Sequence, residues 1–201
     1  MQPLASEAAP DCGSSGLVVV SVVSHGHKHQ VQGLLNDLVR FSRGRISRVV
    51  LTLNQPEAAP QPPAAGWPFA LHIVRNIRPL GFGANHNRAL SGAGEPFVCV
   101  LNPDVRWDGC DPLEAMVQAA AQPGVGCSYP VQIDNVGCWQ DSARALPTPA
   151  ALFRRRVLGQ REARVDWVNA ACLVLPQPVW QRLQGFDEAY FMYCEDVDLC
   201  L

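Results

Sequence analysis

The run Leu17-Val18-Val19-Val20-Ser21-Val22-Val23 is β-branched and almost unbroken, so both faces of the segment need apolar cover. That is the pattern of a strand inside a parallel sheet, with helices packed above and below. The chain beyond it agrees. Val31, Leu34, Leu35, Leu38 and Phe41 recur at helical spacing and Gly44 closes the element, after which Ile46 to Leu53 supplies a second buried strand. Phe69 to Val74 reads as a third strand, a Gly-rich turn opens a helix from about Gly83 to Leu90, and Phe97 to Leu101 reads as a fourth strand. A helix from Pro112 to Ala121 carries Leu113, Met116, Val117 and Ala120 on one face, and a further strand is expected near Gly126 to Val131. Trp167 to Leu175 returns as a strand and Gln177 to Leu183 as a helix ending at Gly185. This alternation predicts a layered α/β fold with a mainly parallel central sheet.

Between these elements, Pro56 to Pro68 is too rich in proline for a helix or a central strand and reads as a surface connection. Asp134 to Glu162 has no sustained period and contains Arg154-Arg155-Arg156; it reads as a long irregular excursion whose arginines are solvated or face an anion. Residues 1–16 are mostly Ala, Pro, Ser and Gly with no Lys or Arg, which suits a loose tail and not a secretory leader. The remainder, 17–201, is expected to form one domain around one core.

A formal net charge of −2 with only 17% charged residues leaves no general basic field for nucleic acid. The early apolar run is far short of the roughly 20 residues that a membrane helix needs. Eight cysteines include no Cys-x-x-Cys pair, and several lie in apolar runs. They read as reduced core thiols of a cytoplasmic protein.

In open α/β sheets, ligands bind beyond the carboxyl ends of the strands. The unusual polar residues of this chain collect there. Ser24-His25-Gly26 ends the first strand, Asn54 the second, Asn76 and Gly81 follow the third, and Asn102 and Asp104 follow the fourth. Each alone is an ordinary turn residue. In Asn102-Pro103-Asp104, however, the proline pushes Asn102 into an extended conformation and gives Asp104 a rigid support. A rigid carboxylate suits Mg²⁺ or Mn²⁺, which take oxygen ligands and accept phosphate and water for most of the shell. An Asx turn is the plainer alternative. The segment from Gly81 to Asn87 opens a helix and offers free amides to a phosphate or a base. His25, His27 and His29 have no Cys or acidic partner at zinc spacing.

The chain closes on Gly185-Phe186-Asp187-Glu188-Ala189-Tyr190-Phe191-Met192-Tyr193-Cys194-Glu195-Asp196-Val197-Asp198, acids interleaved with aromatics. Two readings stand side by side: a cleft wall that keeps ionised oxygens beside apolar surface, or a helix start whose first-turn amides favour acids.

Taken together, these residues resemble the family 2 glycosyltransferases of the GT-A fold, above all the rhamnosyltransferase-like members. The resemblance runs from about Leu17 to Leu201. It rests on Asn76 to Asn87, which is similar to the family's Asn-x-Gly-Phe-Gly-x-x-x-Asn segment, and on Leu101-Asn102-Pro103-Asp104-Val105, which looks like its version of the Asp-x-Asp metal motif. Asp166-Trp167 onward, through Gly185-Phe186-Asp187-Glu188 to Glu195-Asp196-Val197-Asp198-Leu199, completes it.

The resemblance implies inverting transfer of a sugar from a nucleotide diphosphate donor, dTDP- or UDP-linked, to a saccharide or lipid-linked saccharide hydroxyl in bacterial surface-polysaccharide synthesis. Asp104 would hold the Mg²⁺ or Mn²⁺ on the diphosphate. Asp196 would be the general base, with Glu195 the second candidate. Ser24, His25, Gly26, Asn54, Asn76, Gly81, Asn87 and Asn102 would line the donor pocket, and Trp167 and Asp187 would frame the sugar and acceptor. A lipid-linked acceptor would bring peripheral membrane contact without any anchor.

Three departures mark the chain. Asn54 stands where relatives usually carry Asp, Ala170 where they carry Gly, and the sequence stops at Leu201 where relatives continue, which implies a domain truncated at its C-terminus. A catalytically silent nucleotide-sugar binding fragment is the alternative from another class. A sugar nucleotidyltransferase ranks lower, because His25-Gly26-His27-Lys28 offers a single glycine to a triphosphate.

Overall fold

A computed structural model describes residues 17–146 and 165–201. The tail and Arg154-Arg155-Arg156 lie outside the described residues. A five-stranded sheet has the order β3-β2-β1-β4-β7, built from β1 (Val18–Ser24), β2 (Ile46–Leu53), β3 (Ala70–Arg75), β4 (Phe97–Leu101) and β7 (Cys172–Pro176). The first four are parallel and β7 runs antiparallel along β4. A two-stranded ribbon pairs β5 (Ala143–Arg144) with β6 (Trp167–Val168).

The valine run explains the layering. Val18, Val20 and Val22 point to one face, where Leu34, Leu35 and Leu38 of α1 (Lys28–Phe41) and Leu113 and Met116 of α3 (Pro112–Ala120) cover them. Val19 points to the other face, toward Ala89 and Leu90 of α2 (Phe82–Leu90) and Trp180 of α4 (Gln177–Leu183). Each fully buried valine contributes roughly 1.5 to 3 kcal/mol. Ser21 also faces α2 and is fully buried; its Oγ lies 2.8 Å from His86 Nδ1.

Two expected strands differ. Around Ser128 there is only an isolated bridge to Val174, because Pro130 lacks an N–H and the Ser128 hydroxyl turns to the Met116 carbonyl at 2.7 Å. The stretch from Trp167 to Leu175 is two strands. Asn169 donates its N–H to the Ser142 carbonyl and so leaves the main sheet, and Asn102 N–H then meets the Ala171 carbonyl at 2.8 Å as β7 begins. The acidic end does start a helix, α5 (Glu195–Cys200). Seven cysteines are free among the described residues, and none of the described helices is long and apolar enough to cross a membrane.

Candidate active site

Strand register assembles the rim. Ser24 sits opposite Leu53 and Leu53 opposite Arg75, so the residues that follow these strand ends come out side by side. Asn54 N–H donates to the Ser24 carbonyl at 2.8 Å, and Asn76 N–H to the Leu53 carbonyl at 3.1 Å. The side chains continue the ladder beyond the sheet. Asn54, 6% exposed, accepts at Oδ1 from Asn76 Nδ2 and from Leu80 N–H, both at 2.8 Å; its Nδ2 donates to the Leu80 carbonyl at 3.0 Å and to His25 Nδ1 at 3.3 Å.

Asn76 Nδ2 also donates to Asn85 Oδ1 at 2.7 Å, while Asn85 Nδ2 donates to the carbonyls of Leu80 and Gly81. Three buried or half-buried amides thereby fix the loop from Asn76 to Gly81, and each satisfies groups that would be costly to orphan. Asn85 was not singled out in the sequence; its position one turn after Gly81 was the available signal. Beside them, Ser24 Oγ accepts from His27 N–H at 3.2 Å, and Gly26, at φ 83°, donates its N–H to Glu57 Oε1 at 3.3 Å.

Gly81 allows a close approach. A β-carbon there would lie 2.6 Å from the Phe191 carbonyl oxygen, which accepts from Phe82 N–H at 2.9 Å. This contact draws the aromatic-acidic segment to the rim. Tyr193 and Cys194 then take φ of 70° and 71°, a left-handed pair of non-glycine residues that turns the chain into α5. Such backbone costs about 1 to 3 kcal/mol per residue and gathers at functional sites.

Glu195, 6% exposed, holds Oε2 without a partner, and burial together with the adjacent Asp196 keeps its carboxyl above the ordinary carboxylate range. Asp196 is half-buried, with Oδ1 accepting from Val197 N–H at 2.9 Å. α5 packs on β6, where Trp167 is half-buried with its Nε1 unpartnered and the Arg144 guanidinium stands 5.5 Å from its ring centre.

Asp104 is exposed, on a turn held by the buried Pro103, by the Asn102 to Ala171 bond and by Val105 N–H donating to the Asn102 carbonyl at 3.3 Å. No three His, Cys, Asp or Glu side chains converge on a metal position among the described residues. One free carboxylate on a rigid turn fits a cation whose other oxygens come from a bound diphosphate and water.

The structure thus joins Ser24, His25, Asn54 and Asn76 directly, and Gly81 through Asn85. Asn102 and Asp104 follow β4; Phe191 touches the rim, and Glu195 and Asp196 open α5, which packs on β6. Asn87 is engaged elsewhere: its Oδ1 accepts from Phe186 N–H at 2.9 Å and its Nδ2 donates to the Phe186 carbonyl at 2.8 Å. Asp187 is exposed and accepts at Oδ1 from Ala189 N–H at 2.9 Å.

No family model matches the sequence. The chain is 33% identical over 150 residues to an N-acetylglucosaminyl-diphospho-decaprenol L-rhamnosyltransferase of Mycobacterium tuberculosis, across 60% of this chain and 48% of that protein. It is 24% identical to the rhamnosyltransferase WbbL of Escherichia coli K12, across 92% of this chain and 76% of WbbL. The chain spans about half the length of the mycobacterial relative.

Among solved structures, the mannosyltransferase PcManGT of Pyrobaculum calidifontis, in complex with GDP-Man and Mn²⁺, superposes with a TM-score of 0.61 at 18% identity, over 96% of this chain and 53% of that one. TarS of S. aureus, residues 1–349 in complex with UDP, gives 0.58 at 14% identity over 91% and 53%. The chain is thus similar in sequence to two rhamnosyltransferases and shares the GT-A fold of these solved glycosyltransferases.

Proposed function

We propose that this chain carries the donor-binding and catalytic part of a glycosyltransferase of cell-surface polysaccharide synthesis. It would pass a sugar from a nucleotide diphosphate, dTDP- or UDP-linked, to a hydroxyl of a saccharide or lipid-linked saccharide. The observation that carries the reading is the rim itself. Amides of Asn54, Asn76 and Asn85 fix the loop beyond β3, at the strand ends where α/β sheets hold nucleotides, in a chain similar to two rhamnosyltransferases. The domain spans 17–201.

Ser24, His25, Gly26, Asn54, Asn76, Gly81 and Asn102 line the donor side, with Asn87 supporting the α2 end. Asp104 would hold Mg²⁺ or Mn²⁺, and such an ion, when bound, supplies Lewis-acid stabilisation of the departing diphosphate. Asp196 takes the proton of the acceptor hydroxyl as that oxygen attacks the anomeric carbon from the face opposite the nucleotide. Its partial exposure suits this role better than the burial of Glu195 does. One displacement inverts the anomeric centre and needs no enzyme nucleophile. Trp167 and Asp187 frame the sugar and acceptor. A lipid-linked acceptor would hold the enzyme peripherally at a membrane.

The test is titration calorimetry with dTDP and UDP, with and without Mn²⁺, followed by transfer from dTDP-rhamnose to a diphospholipid-linked N-acetylglucosamine. The wild type is expected to transfer, and Asp196→Asn to bind donor yet lose at least about a hundred-fold in rate. Proton NMR of the product's anomeric centre reports inversion. Nucleotide binding without turnover by the full-length protein would instead mark a silent nucleotide-sugar binding module.

A further inference from the structure

Two pairs of cysteines, both distant in sequence, come together in this fold, and they differ in access. Cys99 and Cys172 stand on the neighbouring strands β4 and β7 and are sealed in the core at 0% exposure. Cys127 and Cys200 are both half-buried and line one cavity of about 400 Å³ with Val125, Val168, Leu175 and Leu183.

Their supports are unequal. Cys127 precedes Ser128, which is bridged to Val174 in both directions at 2.8 and 2.9 Å, so its backbone is tied to β7. Cys200 is the last residue of the six-residue α5, which begins with Glu195 and Asp196 and is entered through the left-handed pair Tyr193 and Cys194. A helix with a strained entry and a segment tied to β7 thus line one cavity, each with a thiol.

We propose that Cys127 and Cys200 form a modification site at which a peroxide oxidises the two thiols to a disulfide, fastening the acid-bearing helix α5 to the segment beside β7. The inference does not depend on the transfer reaction. The neighbouring Cys127 thiol favours the thiolate of Cys200, lowering its pKa, while that same interaction and burial hold Cys127 protonated. The Cys200 thiolate attacks one peroxide oxygen, the O–O bond breaks, and hydroxide leaves with the electron pair, giving a sulfenic acid on Cys200. The Cys127 sulfur then attacks the sulfenic sulfur. Its proton and the displaced hydroxide leave as water, and two thiols plus one peroxide become one disulfide plus two waters.

The experiment treats the full-length protein with about one equivalent of hydrogen peroxide, blocks residual thiols with N-ethylmaleimide under denaturing conditions and maps the peptides by mass spectrometry. A cross-linked pair containing Cys127 and Cys200, short by two hydrogens and released by dithiothreitol, is expected, with Cys99 and Cys172 still alkylated. Amide exchange across 195–200 should slow about ten-fold in the oxidised protein. In Cys127→Ser, Cys200 should halt as a sulfenic acid trapped by a cyclic dione. Maleimide on both Cys127 and Cys200 at a dose that oxidises the exposed Cys138, or Cys200 bonded to any other cysteine, overturns the proposal.

Discussion

Asn87 grips the backbone of Phe186 with both ends of its amide, across 99 residues of sequence. Gly185, at φ 76°, leaves room for that grip, and Phe186 then packs edge-on against Phe82 and Trp180 at 5.6 and 5.5 Å. Asn87→Ala orphans a backbone donor and acceptor in a half-buried joint. A stability loss of about 2 kcal/mol is expected, read as a lower urea midpoint at unchanged m-value.

His86 is fully buried, its Nε2 has no partner, and burial lowers its pKa to about 3. The unfolded chain takes up this proton near pH 6.5 while the folded protein refuses it down to about 3. Stability therefore falls as pH drops through that window, by about 1.4 kcal/mol per unit from this one site. Urea midpoints at pH 7 and pH 5 should show the slope, and the paired variant Ser21→Ala, His86→Phe should flatten it.

Asn54→Asp keeps the shape of the side chain but removes the Nδ2 donor, setting a carboxylate oxygen against the Leu80 carbonyl. The variant is expected to lose about 1 to 3 kcal/mol of stability. Exchange at the Leu80 amide should quicken, and nucleotide affinity should fall. Hydrogen exchange and calorimetry check the two separately.

Glu195 is held above its usual carboxylate range by burial, so it contributes a penalty that appears only above the unfolded pKa near 4.5. Glu195→Gln should raise the thermal midpoint at pH 7 and leave it unchanged at pH 4. An equal shift at both values would locate the effect elsewhere than in ionisation.

Much of this molecule was legible in its residues, for reasons that also mark the limits. Phe97 to Leu101 was readable to the residue, because a short apolar run between Pro96 and Asn102-Pro103 has no other use. The direction of β7 was not, since hydrophobic runs carry no arrow. A strand near Ser128 was expected from apolar composition, yet Pro130 and the hydroxyl bond to Met116 reduce it to one bridge. At the rim, strand ends identified Asn54 and Asn76 as polar residues out of place. That each holds the other, and that Asn87 serves Phe186, was hidden because asparagine turns, caps and binds with the same atoms.

The antiparallel pairing of β7 also shapes how the chain is made. On the ribosome, β1 to β4 emerge before β7, with the stretch from 102 to 171 still to come. For that interval the Val98 to Leu101 edge stands open, buried only when its last neighbour arrives. Nascent chains halted near residue 150 should accordingly recruit chaperones or stick to one another, and those released past 176 should not.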